Sequence, residues 1–295
     1  MSPQHLSRDT KRFLWIGILP SALLYGLFVV WPAINALMYS FTRWDGLSTP
    51  VWIGIDNFVN LFKSGSDFVT AISHNIYLTV VPGSIILTLA LFFAWMIHLK
   101  VAGSTLFRVT FFFPNVIASV AVALLWVLLY STTEMGPINN IRQALHLEKI
   151  PFLESARLLQ SIVPMMVWSA TGFYLVLFLA AMENIPADYY EAAHLDGASP
   201  TLQFIRITLP LMWDVLTTGI IFLIVGGLKF FDAVWVMENG RPSPATHTMS
   251  SLMYAKVFEE YNVGYGTAIA VLLFVLVLVI TRISMRLLKR ERLEY

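Results

Sequence analysis

The chain has 295 residues, 57% of them hydrophobic and 13% charged, with a mean hydropathy of +0.71. Soluble domains are about half apolar and about a quarter charged, so this composition is that of an integral membrane protein. A net charge of +1 leaves no basic field for nucleic acid, and the lack of cysteine excludes disulfides, thiolate metal ligands and thiol nucleophiles.

A bilayer core about 30 Å thick is crossed by about 20 apolar residues of helix. The first run of that length, Phe13–Ile34, follows Arg8, Lys11 and Arg12 as a signal peptide would. It is longer than a signal peptide's apolar region and no small-x-small cleavage site follows, so it reads as a retained span. Ile76–Leu99, Val109–Tyr130, Ile162–Met182, Val215–Val236 and Thr267–Leu288 complete six. Pro20, Pro82, Pro114 and Pro164 fall in or near these spans, where neighbouring helices re-satisfy the groups that proline frees. The expected fold is an all-α polytopic membrane protein of about six transmembrane helices, a single domain over 1–295.

Cations at span ends orient such a chain. Arg8, Lys11 and Arg12, with Arg282, Arg286, Lys289, Arg290 and Arg292 at the other end, place both termini in the cytoplasm, and the Lys100–Arg108 connection with them. Thr42–Ser73, Ser131–Ser161 and Met237–Gly266 are then outer loops. In the second of these, Gly136-Pro137 opens a stretch in which Ile138, Ile141 and Leu145 recur at helical spacing, with Asn139, Arg142 and Gln143 opposite. This predicts a short helix lying on the outer membrane face.

On the inner side, between the fourth and fifth spans, lies a polar segment at 188–210. Asp188 with Glu191 three residues on has the spacing of a capping box. Gly197 marks the helix end, since glycine takes the left-handed conformation at little cost. Ser199-Pro200 starts a second short helix running through Ile205. Ala192, Ala193, Gly197 and Ala198 leave a thin surface that another backbone can approach closely.

Charged residues inside spans are functional candidates because charge in hydrocarbon is costly. Lys229 and Asp232 are such a pair, expected at i and i+3 on one helical face of the fifth span, where they neutralise each other in part or where Lys229 snorkels to water. Gly226-Gly227 admits a close helix neighbour or exposes backbone. Trp168, Phe173 and Phe230 could stack on the apolar face of a sugar ring, or simply pack.

The order Glu191-Ala192-Ala193, Gly197 after three residues, then Ile207-x-Leu209-Pro210 after nine, matches E-A-A-x(3)-G-x(9)-I-x-L-P. This resembles the cytoplasmic "EAA" loop of the permease subunits of binding-protein-dependent ABC importers. "IPADYYEAAHLDGASPTLQFIRITLP" looks like the sugar-permease branch, maltose and glycerol-phosphate type. "WPAINALMYSFTRWDG", "IGIDNFVNLF", "GPINNIRQAL" and "GYGTAIAVLLFVLVLVIT" are similar to that branch as well, so the likeness covers most of the chain. "NGRPSPATHT" at Asn239–Thr248 departs from the family, which more often has a Gly-Gly-Pro turn there.

The resemblance implies a type I ABC importer permease architecture in a prokaryotic inner membrane, with the loop as a coupling helix seated on an ATPase subunit. Tyr190, Glu191, Ala192, Ala193, Asp196, Gly197, Ile207, Leu209 and Pro210 carry that motif. Expected partners are a second permease subunit, two cytoplasmic ATPase subunits and an extracytoplasmic solute-binding protein. No P-loop Gly-Lys occurs in the chain, so ATP and magnesium belong to the partner ATPase, and no cofactor is expected here. Solute would move by alternating access, with Trp168, Phe173, Gly227, Lys229, Phe230 and Asp232 as substrate-path candidates.

Other classes remain open on the residues alone. Glu191-x-x-His194 has the spacing of a di-iron ligand pair, but no second copy exists. No nucleophile elbow or zincin motif is present. A stand-alone channel or secondary transporter, or an importer of a non-sugar solute such as glycerol phosphate, are the alternatives.

Overall fold

In the computed structural model of the chain, residues 8–63, 65–99 and 103–288 are described, those at 8–15, 104–105 and 107–108 by backbone alone. Lys100, Lys289, Arg290 and Arg292, used above for orientation, lie outside the described residues.

The first apolar run forms α1 (Arg8–Tyr25), a π turn at Gly26–Val30 and α2 (Trp31–Tyr39) in one rod. A short hairpin, β1 (Thr42–Arg43) against β2 (Val51–Trp52), follows with Thr42 opposite Trp52. Next come α3 (Asp56–Leu61), the 32-residue α4 (Asp67–His98), α5 (Ser104–Val116) and α6 (Ser119–Tyr130). α7 (Pro137–Ala144), α8 (Ser155–Glu183), α9 (Ala187–Leu195) and α10 (Pro200–Gln203) lead to a second π turn, Phe204–Thr208, and α11 (Leu209–Leu211). α12 (Trp213–Leu228), α13 (Asp232–Met237), α14 (Met249–Tyr254), a third π turn at Ala255–Glu259 and α15 (Val263–Leu287) complete the order.

Five helical stretches are long and apolar enough to cross a membrane, namely Ile16–Tyr39, Asp67–His98, Ser155–Glu183, Trp213–Met237 and Val263–Leu287. α5 and α6 make a sixth if the pair is one span, but they meet at 106°. The expected continuous third span is therefore broken. Ile117 and Ala118 between its halves are extended, at ψ 139° and 135°, three residues beyond Pro114, whose ring removes a donor from the ladder. Two π turns, Gly26–Val30 and Phe204–Thr208, likewise stand just before Pro32 and Pro210, where the wider i→i+5 turn absorbs the missing N–H.

Contacts gather into two compact units, Met1–Lys63 with Met253–Leu272 and Ser64–Leu252 with Leu273–Tyr295. In the first, the buried Asn57 amide donates to the carbonyls of Ser40 (2.9 Å) and Thr42 (2.8 Å), and the Gly264 N–H donates to Trp44 O (3.1 Å). The hairpin loop is closed by Asp45, which accepts from the backbone N–H groups of Ser48 and Leu47. Those bonds, with the Ser48 hydroxyl, hold its carboxyl down at about 2.

In the second unit α8 packs on α4 and α5. Gly172 of α8 lies so close to Phe111 and Phe112 of α5 that a Cβ there would overlap their backbone, the small-residue approach by which membrane helices gain dispersion contacts. One apolar cluster joins Ile86, Ala90 and Ala94 of α4 to Leu175, Phe178 and Met182 of α8 and to Met212. Another joins Leu78 and Val122 to Leu158 and Ile162 and to Ala233 and Val234 of α13.

α7 forms where the spacing predicted a helix, and the side opposite its apolar stripe packs inward. Asn139 is fully buried, donating to Tyr130 O, Ser131 O and Ile150 O and accepting from the Ile150 N–H at 2.8 Å. Ile141 and Leu145 are 61% and 65% exposed. Asn139 packs inward because it satisfies four backbone groups there, and unmet buried donors and acceptors are costly.

Candidate functional site

Two places in the second unit carry the residues singled out in the sequence, an exposed loop from α9 to α11 and a cavity between broken helices.

α9 starts one residue before the expected cap. Pro186, with φ −58° and ψ 138°, is the flanking residue, which puts Asp188 inside the first turn, where it caps nothing by its side chain. It faces the helix's positive end instead. The other end closes as anticipated. Gly197 sits at φ +78°, its N–H donates to His194 O (3.0 Å), and the Ala198 N–H reaches back to Ala193 O (2.9 Å). These two bonds form the Schellman pattern that glycine makes inexpensive. Ser199 then caps α10, its Oγ accepting from the Leu202 N–H at 3.3 Å. Beyond the expected end at Ile205 the chain stays helical through the π turn to Leu211.

Glu191, Ala192, Asp196 and Gly197 are exposed, with Ala193 half-buried. Behind them Tyr190 Oη lies 2.9 Å from Thr208 Oγ1, and its ring stands 5.4 Å from the His98 ring at the end of α4. Phe204 meets Trp95 of α4 at 5.0 Å. Ile207 is half-buried, and Leu209 packs on the α4–α8 cluster ahead of Pro210. The loop thus presents Glu191, Ala192, Asp196 and Gly197 outward together with Leu195, which is 87% exposed, and is pinned to one end of α4.

The cavity has a volume of about 480 Å³ and is walled by both breaks: Pro114, Asn115 and Ile117 where α5 ends, and Lys229 to Asp232 where α12 gives way to α13. Ser169 and Tyr174 of α8 complete its polar lining. Ser119 and Asp232, the first residues of α6 and α13, are hydrogen-bonded at 2.5 Å.

The expected pairing of Lys229 with Asp232 on one helical face is not formed. α12 ends at Leu228, Lys229 is its C-cap, and Asp232 opens the next helix with Ser119 as its partner. The carbonyls freed at the break explain why the helix can stop here, because Asn75 and Thr248 supply donors to them from outside.

Gly227, Lys229, Phe230 and Asp232 come together on the cavity wall. Trp168 and Phe173 do not. Trp168 faces Trp126 at 6.2 Å within the second cluster, and Phe173 sits against Tyr174 and Phe222. The two glycines divide their roles. A Cβ at Gly227 would overlap Thr79 of α4, whereas Gly226 has open space before it. Asn115, Ser119 and Ser169 were missed by sequence reasoning. The one available signal was the pairing of Pro114 with Asn115, a helix breaker beside an amide inside an apolar run.

Residues 86–293, well over half of the chain, match the family of the binding-protein-dependent transport system inner membrane component. The chain is 32% identical to the diacetylchitobiose uptake system permease protein NgcF of Streptomyces coelicolor, over 92% of this chain and 80% of that one. It is 28% identical to the multiple sugar-binding transport system permease protein MsmF of Streptococcus mutans, over 95% and 96%. Its fold superposes with a TM-score of 0.84, at 23% identity and over 96% of this chain and 98% of the other, on a chain of a bacterial ABC transporter involved in the import of the acidic polysaccharide alginate. Since the family match runs over residues 86–293, the chain belongs to the binding-protein-dependent transport system inner membrane component family.

Proposed function

We propose that the chain is one membrane half of an ATP-driven importer that passes a sugar or oligosaccharide from an extracytoplasmic binding protein into the cytoplasm by alternating access. Its partners in this reading are a second permease and two ATPase subunits, which bind ATP and magnesium, and both termini and the 188–210 loop face the cytoplasm. Glu191 makes the polar contact to the ATPase, while Ala192, Ala193 and Gly197 allow its surface to come close. The observation that carries this is the self-closed α9, exposed on its small-residue side and anchored through Tyr190 and Phe204 to α4. The cavity provides the solute path, since broken helices facing a cavity place backbone and polar groups where an apolar bundle has none. Carbohydrate as cargo is supported by the relatives, which are named for diacetylchitobiose and multiple-sugar transport.

Affinity purification from native membranes tests the assignment. An ATPase and a second permease should accompany the chain, and the reconstituted complex should take up carbohydrate only with ATP. Recovery of the chain alone, conducting solute without ATP, would return it to the channel reading.

A second reading, an anionic carbohydrate, is favoured by Lys229, which stands exposed on the cavity wall while Asp232 is engaged by Ser119. Lys229→Gln would then lower uptake of a uronic or phosphorylated sugar and spare a neutral one.

A further inference from the structure

Asn75 was given no role by the sequence, yet it is fully buried on α4 with every polar atom engaged. Its Nδ2 donates one hydrogen to Gly227 O (2.9 Å) and the other to Leu228 O (3.0 Å), and its Oδ1 accepts from the Met249 N–H (2.8 Å). An amide with two donors and an acceptor is filled by this arrangement. In an unbroken helix those two carbonyls would accept from the N–H groups of Phe231 and Asp232. Thr248 does the same one step on, its Oγ1 donating to Phe230 O at 2.8 Å. Three carbonyls at and just beyond the end of α12 thus accept from other parts of the chain, Gly227 O taking the Phe230 N–H (3.3 Å) as well.

Asn75 does not act alone on this segment. Thr79, one turn further along α4, bonds back to Asn75 O at 2.7 Å and occupies the space a Cβ on Gly227 would need. α4 therefore presses its Asn75 and Thr79 face against the last turn of α12, and the residues just beyond that contact, Lys229 to Asp232, are those that form the cavity wall.

The geometry points to Asn75 as the positioning residue of the cavity wall: by supplying two donors to Gly227 O and Leu228 O it keeps α12 from continuing into α13, and so holds Lys229 and Phe230 toward the cavity. It touches no solute and acts through the backbone of the break. Its significance for transport rests on the reading of the cavity as the solute path, whereas its effect on the wall does not.

The lack of cysteine in the chain makes the wall directly measurable. Lys229→Cys places a single thiol of this subunit on the wall held by Asn75, Ser169→Cys places one across the cavity on α8, and Thr49→Cys places one in an exposed loop. Modification by N-ethylmaleimide is followed in native membrane vesicles, where the chain keeps its own partners. Added to these backgrounds, Asn75→Leu should slow reaction at Lys229→Cys by about tenfold, the shift expected when buried carbonyls lose their donors. Reaction at Ser169→Cys and Thr49→Cys should stay within about twofold, as for independent sites. Asn75→Asp retains shape and the acceptor for Met249 but, held protonated by burial, offers the two carbonyls one O–H in place of two N–H donors, and should give a smaller fall in the same direction. An unchanged or faster reaction at Lys229→Cys overturns the proposal, and so does a parallel change at Ser169→Cys, which would mark general loosening. If the thiol responds as stated but vesicles carrying the unaltered chain take up no carbohydrate with ATP, the wall is positioned by Asn75 and the transport reading is what fails.

Discussion

Ser119 and Asp232 are 113 residues apart in sequence and are joined by a 2.5 Å hydrogen bond between the first side chains of α6 and α13. Each follows a break that lines the cavity, so one bond clasps the two interrupted helices where they restart. Ser119→Ala should weaken that clasp by about 1–2 kcal/mol, the scale of a hydrogen bond to a charged group with partial solvent access. In carbohydrate uptake by reconstituted complexes this should raise the half-saturating concentration several-fold with a smaller change in maximal rate. An effect on maximal rate alone would place the pair outside the solute path.

Two glycines should respond to the same substitution differently. A Cβ at Gly172 meets the backbone of Phe111, which cannot move without separating α5 from α8, whereas at Gly83 it meets the tip of the Leu223 side chain. Gly172→Ala is expected to cost about 1–3 kcal/mol and Gly83→Ala less than about 1 kcal/mol. Thermal midpoints of the detergent-purified protein provide the comparison, and a reversed order would show the α5–α8 approach to be looser than described.

Among the described residues, its chain neighbours aside, nothing lies within 4 Å of a Cβ built on Gly197, although its φ of +78° penalises L-residues. Gly197→Asn retains a residue that tolerates this conformation, and Gly197→Glu does not. Both should insert normally. Gly197→Glu should abolish ATP-driven uptake and Gly197→Asn should reduce it in part, because bulk remains on the docking surface. Full uptake with Gly197→Glu would remove the loop from coupling.

The Tyr190–Thr208 bond ties α9 to the π turn that follows it. Tyr190→Phe and Thr208→Val should each destabilise the subunit by about 1 kcal/mol, and the double variant by no more than either alone, since both delete the same bond. Additive losses in a thermal-unfolding cycle would mean that each side chain matters through other contacts.

Asp45 gives a pH signature away from the spans. Its folded carboxyl titrates at about 2, below the ordinary value of 3.8, because the ionised form accepts from the N–H groups of Ser48 and Leu47. A depressed folded value means that the hairpin loop gains support above about pH 4 and loses it as pH falls from there toward about 2. Trp44, whose Nε1 donates to Ser48 O at 2.7 Å, should report this as a fluorescence change confined to that window and missing in Asp45→Asn.

The helices were legible where hydropathy and backbone chemistry act locally. Five apolar stretches stand out by length with a broken sixth at α5 and α6, Gly197 marks a stop because only its own dihedral matters, and Ser199 caps because its partner is three residues away. The breaks at Ile117–Ala118 and Lys229–Phe231 were not, since the apolar run resumes beyond both and the donors that satisfy the carbonyls at the second come from Asn75 and Thr248. Asn75 is a single amide in an apolar run, and nothing local reveals partners 152 and 153 residues away. The partners of Asn139 on α7 were hidden for the same reason, because the four backbone groups it satisfies are brought to it by folding.

α4 passes through Pro82 as one unbroken helix and is gripped near both ends, at Asn75 by the end of α12 and at Trp95 and His98 by the loop around α9. The 20 residues from Asn75 to Trp95 span roughly 30 Å of axis. Over such a lever arm, a tilt of about 10° about one grip sweeps the other by about 5 Å, close to the width of a sugar ring.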